Sequence, residues 1–531
     1  MHRYIYKKTD FILAFLISLL LLFVGYGSLK YTLVSWGDDH SAYLAEAIAI
    51  ADGEFQKQIK TNYIIHPTQI PSEVKDGKLV YVWGYPLLLS LIYKITGFDR
   101  INYSSLFWYK IPVLFGFSAM GGVLYLFYRK RFSCPTAFLM ALLFCLTPNI
   151  IYFTNEISPD LLCLFFSILI FFFSEKYMSY LEDIPKHLYI PSFIYGLILW
   201  FMYELRLNGF TVCITAFIGQ MFIMIKNKYQ MDRKKIFMLL FPYIIAAVIT
   251  FFTEKFLFAS ATQNISDYSR TYSYMFTRHL NQQLYVLSDY IKALFAVKHR
   301  HIVYIVLVLA FLGLWKGIKF DLHLVLFMFG TWFFVAALPY TQGLRYLFNA
   351  LPIFFLLIGY GVQFLGEVLS SIIDKVKPSL AASFSYLGQG FSSIILLICL
   401  FSNFIPLIKN DIENLKRNES YYLSEPYSES AIEIYQFIQR NLPENTVIAF
   451  RKPRALYLNT LRTSIKPGIN GHTVSDADYF LFDKNGINDA EPDKNKMRVI
   501  FENTGFILYQ NLPRTARDEE INEEMLWDKF E

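Results

Sequence analysis

FILAFLISLLLLFVGYGSLKYTLVSWGDDH, residues 11–40, places an uncharged apolar run directly before two adjacent carboxylates. The run from Phe11 to Leu29 is long enough to cross a bilayer's hydrocarbon layer, which takes about 17–25 apolar residues. It exceeds the roughly 7–15 residues of a leader's apolar region, and its small-x-small element, Gly25-Tyr26-Gly27, lies inside the run. The segment is therefore expected to stay as a helix. Its basic amino end, with Arg3, Lys7 and Lys8, is expected in the cytoplasm. The chain then meets Asp38 and Asp39 as it leaves the membrane on the other side.

Working outward, similar runs recur at 105–128, 136–153, 159–173, 322–339, 344–364 and 391–408. The block 190–225 is too long for one crossing and is broken by Arg206-Leu207-Asn208-Gly209, so it reads as two helices and a tight turn. Segments 236–256 and 302–315 complete a set of about eleven transmembrane helices. Composition agrees: 55% of the 531 residues are hydrophobic and only 17% charged, against about a quarter charged in soluble chains. The net charge of +6 calls for no nucleic acid, because the basic excess sits in loops expected inside. All five cysteines fall in or beside predicted spans, a placement that suggests neither a disulfide framework nor a cysteine metal cluster.

Lysine and arginine concentrate on the cytoplasmic side of membrane proteins. With the amino terminus inside, alternation puts Arg129-Lys130-Arg131, Arg233-Lys234-Lys235, Lys316 with Lys319, and Lys375 with Lys377 inside. Residues 1–408 then form a transmembrane domain with an outer loop at 35–104, in which 41–51 reads as an amphipathic interfacial helix. Residues 409–531 form a small non-cytoplasmic α/β domain: a helix near 431–440, strands at 447–450 and 479–482, and a hairpin pairing 499–501 with 506–509. The tail from Arg514 is charged and reads as solvated.

The polar clusters all fall on the outer face. Adjacent Asp38 and Asp39 at a membrane surface repel each other, which favours a general base; a helix N-cap explains an aspartate there equally well. Trp83-Gly84-Tyr85-Pro86 opens a short apolar helix ending at Gly97, and reads otherwise as an interfacial tryptophan with a helix-start proline. Glu156 and Asp160 join two spans, and helix capping covers only the second. Arg206, beside Glu204, and Arg345-Tyr346, with Lys110 as a further outer-edge cation, are candidate phosphate ligands whose bland reading is snorkelling to the interface. His66 lies in the first outer loop and His299-Arg300-His301 at the membrane edge; two histidines one residue apart suit a metal, but no carboxylate pattern accompanies them.

The order of these elements resembles the polyprenyl-phosphate-sugar glycosyltransferases with the C-type membrane fold, including the protein mannosyltransferases and the aminoarabinose transferases. Asp39, Tyr43, Ala47 and Gly53 are similar to their first-loop acidic frame. Gly84-Tyr85-Pro86-Leu87 looks like their Pro-Pro-Leu element with one proline replaced by tyrosine. Glu156 and Asp160 look like the second acidic element, and Arg345-Tyr346-Leu347 with Pro352 like the late Arg-Tyr-Leu element. The likeness covers about the first 365 residues and assigns no role to the terminal domain.

The resemblance implies a transferase of the bacterial inner membrane with its site on the non-cytoplasmic side. It would move a hexosyl or pentosyl group from a polyprenyl-phosphate donor to an envelope glycan such as lipopolysaccharide, a lipid or a protein, with inversion. Asp39, with Asp38, would be catalytic. Arg345, Arg206 and Lys110 would hold the donor phosphate, and Tyr43, Tyr85, Glu156, Asp160 and Tyr346 the rest of the substrate. No cofactor is demanded, and a divalent metal is compatible with the acidic pair. Two rival classes remain at this point: a lipid or sugar transporter or flippase, and a ligase or polymerase using diphosphate-linked oligosaccharide. A transporter favours repeats and helices interrupted at mid-membrane, whereas here the charges gather at helix ends.

Overall fold

The computed structural model describes residues 6–29, 39–54, 82–100, 105–182, 189–206, 208–226, 232–253, 300–336, 344–376, 398, 426–467, 474, 477–484 and 497–511. The expected span at 391–408, apart from residue 398, lies outside the described residues. So do Asp38, His66 and His299.

The first span is α1, Lys8–Ser28. After it come α2, Asp39–Asp52, and α3, Gly84–Thr96, which pack on each other. The long central helix α4, Leu106–Arg129, runs beside α1. Small residues bring the pair close: a Cβ on Gly122 would meet the Ala14 carbonyl oxygen at 2.7 Å, and Ser118 Oγ donates to the Ser18 carbonyl at 2.6 Å. α5, Cys134–Cys145, and α6, Pro148–Tyr152, form a helix pair bent by 56°. Pro148 cannot continue the first helix and suits the start of the second. A 3₁₀ turn, Phe153–Asn155, leads to Glu156 and then to α7, Asp160–Glu182. α8, Tyr189–Leu205, and α9, Gly209–Lys226, flank the anticipated turn, and α10, Arg233–Phe252, follows.

The segment Arg300–Ala336, α11, breaks at Asp321, whose φ of −133° and ψ of 39° are not helical. A Cβ on Gly317 would lie 3.1 Å from Val325, eight residues on, whereas a straight helix rises about 12 Å over that distance. α11 is therefore two helices folded against each other, as the separate runs 302–315 and 322–339 anticipate. Both arms pack on α12, Leu351–Val376. Five described helices are long and apolar enough to cross a membrane, and the bent α5–α6 pair has the length and composition for a sixth crossing when taken together. Phe15, Phe23, Phe115 and Phe251 stand on their outer faces, as does Phe311 on α11, where lipid replaces water as solvent. The protein is an integral membrane protein.

At the end of the bundle away from Asp39, charges are paired rather than free. Arg129 meets Asp10 at 2.9 Å, Lys130 meets Glu175 at 2.8 Å, and Arg131 meets both Glu175 and Asp321. Tyr360 donates to Asp321 at 2.5 Å. The basic triplet used above as an orientation marker thus knits α1, α4, α7, α11 and α12 together.

At the carboxyl end, α13, Glu429–Asn441, covers a five-stranded sheet ordered β2-β1-β3-β5-β4. Its strands are β1, Val447–Ala449; β2, Thr463–Ile465; β3, Tyr479–Asp483; β4, Met497–Glu502; and β5, Phe506–Asn511. β1 is parallel to β2 and β3, and the remaining pairings are antiparallel. Asn503 closes the β4–β5 hairpin by accepting from the Phe506 amide at 2.8 Å. Between β1 and β2 lies α14, Pro453–Thr460, which packs directly on α2.

That packing corrects one expectation. α2 is not an amphipathic helix at an interface: nine of its fourteen residues are buried, among them His40, Ser41 and Glu46. Ala42, Ala45, Ala47 and Ala49 leave it slim enough to fit between α3 and α14, and the sheet domain supplies the cover that a membrane surface was expected to give.

Candidate active site

The heads of α2 and α7, the end of α8 and the turn ahead of α12 come together through Asp39, Asp160, Arg206, Arg345 and Tyr346. Asp39 is the first residue of α2. Its Oδ2 accepts from Arg345 Nη1 at 3.0 Å, an ion pair between residues 306 apart in sequence. Arg345 stands on a 3₁₀ turn, Leu344–Leu347, ahead of α12, and both partners keep 27% side-chain exposure. They face a space that solvent reaches rather than a sealed core.

Tyr346 lies beneath two guanidinium groups, with Arg345 5.4 Å and Arg206 5.0 Å from its ring centroid. Arg206 is also ion-paired with Asp160 at the head of α7. Two residues expected to bind separate parts of a substrate therefore bind each other, and Arg206 approaches the site from the side. Lys110 departs further from expectation. It stands in the second turn of α4 and is wholly buried there, with the Glu156 carboxylate near enough to act on it electrostatically. Snorkelling is excluded for that side chain.

Tyr43 and Tyr85 meet edge to face, their centroids 5.1 Å apart. Tyr85 is fully buried, and its hydroxyl has no hydrogen-bond partner among the described residues. Burial first, then the Glu156 carboxylate, holds its pKa well above the usual tyrosine value, so the group is a proton-bearing donor at neutral pH. A buried hydroxyl left without a partner costs about 1–3 kcal/mol, which suits a group awaiting a ligand. α3 reaches this place through Gly84, where a Cβ would come within 2.5 Å of the Glu204 carbonyl oxygen. Trp83, the anticipated interfacial tryptophan, is buried against Trp200, with centroids 5.6 Å apart.

Several residues here escaped the sequence reading. His40 is buried; its Nε2 lies 2.9 Å from Ser41 Oγ and 3.3 Å from the Tyr427 hydroxyl, contributed by the terminal domain. Burial, helped by Lys110 and Lys452 and opposed by Asp39, lowers its pKa to about 3, so the imidazole is neutral. Arg454, at the start of α14, places Nη1 4.0 Å from Asp39 Oδ1. The signal that could have pointed to it is the basic run Arg451-Lys452-Pro453-Arg454, with its helix-starting proline.

Chemically, the site offers one carboxylate able to accept a proton, with guanidinium groups on both its oxygens. Such cations stabilise negative charge that develops on a leaving group. They suit an anion better than a divalent cation, and no three His, Cys, Asp or Glu side chains cluster as metal ligands among the described residues.

No family model and no curated protein matches the sequence. Solved structures do. The chain is similar over 95% of its length to ArnT from Cupriavidus metallidurans bound to undecaprenyl phosphate, covering 99% of that chain at 10% identity and a TM-score of 0.51. It is also similar over 89% of its length to the Archaeoglobus fulgidus oligosaccharyltransferase in complex with zinc and sulfate, covering 68% of that chain at 13% identity and a TM-score of 0.56. The same archaeal enzyme, AglB, with an inhibitory peptide and a dolichol-phosphate, matches over 90% of this chain and 69% of its own, at 12% identity and a TM-score of 0.52. The helical architecture and these likenesses show the C-type glycosyltransferase fold.

Proposed function

We propose that the protein is a membrane glycosyltransferase that takes a sugar from a polyprenyl-phosphate donor and passes it, with inversion, to an envelope glycan, lipid or protein. Its site faces the non-cytoplasmic side of a bacterial inner membrane. The supporting observation is the ion pair between Asp39 and Arg345, which joins the first outer loop to the late Arg-Tyr-Leu segment. The similar structures carrying undecaprenyl phosphate and dolichol-phosphate add weight to a lipid-phosphate donor.

The donor phosphate competes with Asp39 for Arg345 and releases the carboxylate. Asp39 then takes the proton of the acceptor hydroxyl as that oxygen attacks the anomeric carbon. The bond from that carbon to the phosphate oxygen breaks, its electron pair leaves with the polyprenyl phosphate, and Arg345 holds the resulting charge. Lys110 and Arg206 add positive potential behind it. Tyr43, Tyr85 and Tyr346 provide aromatic walls for the sugar and its phosphate, while Glu156 and Asp160 fix the cations and the Tyr85 donor.

The test uses purified full-length protein with labelled sugar on polyprenyl phosphate or on polyprenyl diphosphate. Transfer from the monophosphate, lost about 10²–10⁴-fold in Asp39→Asn, is expected. Transfer from the diphosphate alone, or an Asp39→Asn enzyme as fast as wild type, would overturn the assignment. The anomeric configuration of the product, read by NMR, reports inversion.

A further inference from the structure

The sheet domain reaches the reacting carboxylate, and the glycosyl-transfer reading leaves that contact without a purpose. Asp39 is bracketed by two guanidinium groups: Arg345 lies on Oδ2 at 3.0 Å, and Arg454, from the other domain, lies on Oδ1 at 4.0 Å. The second is held in place by more than its own helix. α14 packs on α2, Arg100 Nε donates to the Leu458 carbonyl at 3.0 Å, and Tyr427 meets the buried His40 ring at a centroid distance of 5.8 Å. Lys452 lies close enough to act on that same imidazole. Arg454 retains only 11% side-chain exposure, so its guanidinium stands at the edge of the site rather than in open solvent.

We propose that the terminal domain completes the donor site: Arg454 and Arg345 clamp one phosphate from opposite sides, so donor binding requires the domain to be docked on α2. The inference rests on the glycosyl-transfer reading and names the partner of its leaving group. It also gives the terminal domain a function: an undocked domain would leave the phosphate held from one side only. The ligand chemistry is a phosphate monoester or diester oxyanion. Its source is the lipid donor, and an anionic acceptor is the competing source that the test separates.

The experiment measures binding of a short-chain polyprenyl phosphate, without sugar, to purified full-length protein, together with transfer kinetics at varied donor and acceptor. Arg345→Ala, Arg454→Ala and Arg454→Lys are compared with Arg498→Ala, an exposed arginine on β4. The clamp predicts that Arg454→Ala weakens lipid-phosphate binding and raises the donor KM by about ten- to a hundredfold. Arg454→Lys should recover part of that loss, and Arg498→Ala should behave as wild type. Recovery by lysine separates a charge contact from a failure to dock, since a merely structural role would leave lipid-phosphate binding in Arg454→Lys no better than in Arg454→Ala. If Arg345→Ala loses binding while Arg454→Ala does not, the clamp is wrong and the transfer reading stands. If Arg454→Ala changes only the acceptor KM, the phosphate belongs to the acceptor and the clamp is again wrong. If neither arginine affects lipid-phosphate binding, the transfer reading falls as well.

Discussion

Replacing Gly84 by alanine tests whether the approach of α3 to α8 sets the geometry of the site. An alanine Cβ would lie 2.5 Å from the Glu204 carbonyl oxygen, 2.7 Å from its carbon and 2.8 Å from its Cβ. Backbone forms two of those three contacts, so no flexible side-chain tip can yield. Restoring the 3.4 Å of ordinary contact requires α3 and the end of α8 to part by about 0.9 Å. Overpacking of this kind costs about 1–3 kcal/mol. The displacement falls on Tyr85, the next residue, and on Arg206, two residues beyond Glu204. A misplacement of about 1 Å can lower a rate about 10²-fold. Thermal unfolding in detergent and single-turnover sugar transfer would measure the two effects, with Gly27→Ala as control because nothing lies within 4 Å of a Cβ there. A Gly84→Ala protein with wild-type melting and wild-type turnover would refute the argument.

Tyr85→Phe should leave stability unchanged or slightly improved, since the hydroxyl has no partner to lose among the described residues, while transfer falls up to about tenfold; melting and kinetics on one preparation check both. His40 gives a pH signature. The unfolded chain takes up a proton near pH 6.5 but the folded one only near pH 3, so unfolding binds protons in that window and stability falls as the pH drops. The slope is about 1.4 kcal/mol per pH unit below 6.5, and it should flatten in His40→Gln when melting is followed between pH 7 and pH 5. Arg131→Met leaves Glu175 and Asp321 buried without their shared cation and should cost about 3–5 kcal/mol, partly restored by adding Asp321→Asn. Equal melting of Arg131→Met and wild type would show that the cluster holds nothing together.

The bundle was legible where physics leaves few choices. Apolar runs of bilayer length and the Arg206–Gly209 interruption mark helices and a break without any tertiary information, whereas the bend at Pro148, inside the run 136–153, was not anticipated. The meeting of Asp39 with Arg345 could be anticipated because charges are costly inside a membrane and gather at helix ends on one side. The hairpin closed by Asn503 was likewise visible in its turn residues. What stayed hidden depends on contacts across hundreds of residues. α2, rich in alanine between polar positions, reads as a surface helix because its cover comes from α14. α14 and β2 are eight and three residues long, too short for periodicity to show, and with them went Arg454. Lys110 could be read as a snorkelling cation because a sequence does not show that a charge is buried. Arg129-Lys130-Arg131 indicated a side of the membrane but not the carboxylates that meet it.

Those carboxylates bear on how the chain is made. Arg131 is synthesised 190 residues before Asp321 and 44 before Glu175. At about 5–20 residues per second, roughly 10–40 s separate translation of Arg131 from that of its most deeply buried counter-ion. Until Asp321 and Tyr360 are made, Glu175 is the one of these partners already in the chain for Arg131 to meet. A chain halted before residue 321 would therefore carry the α4–α7 half of the ion cluster and lack the half that ties in α11 and α12.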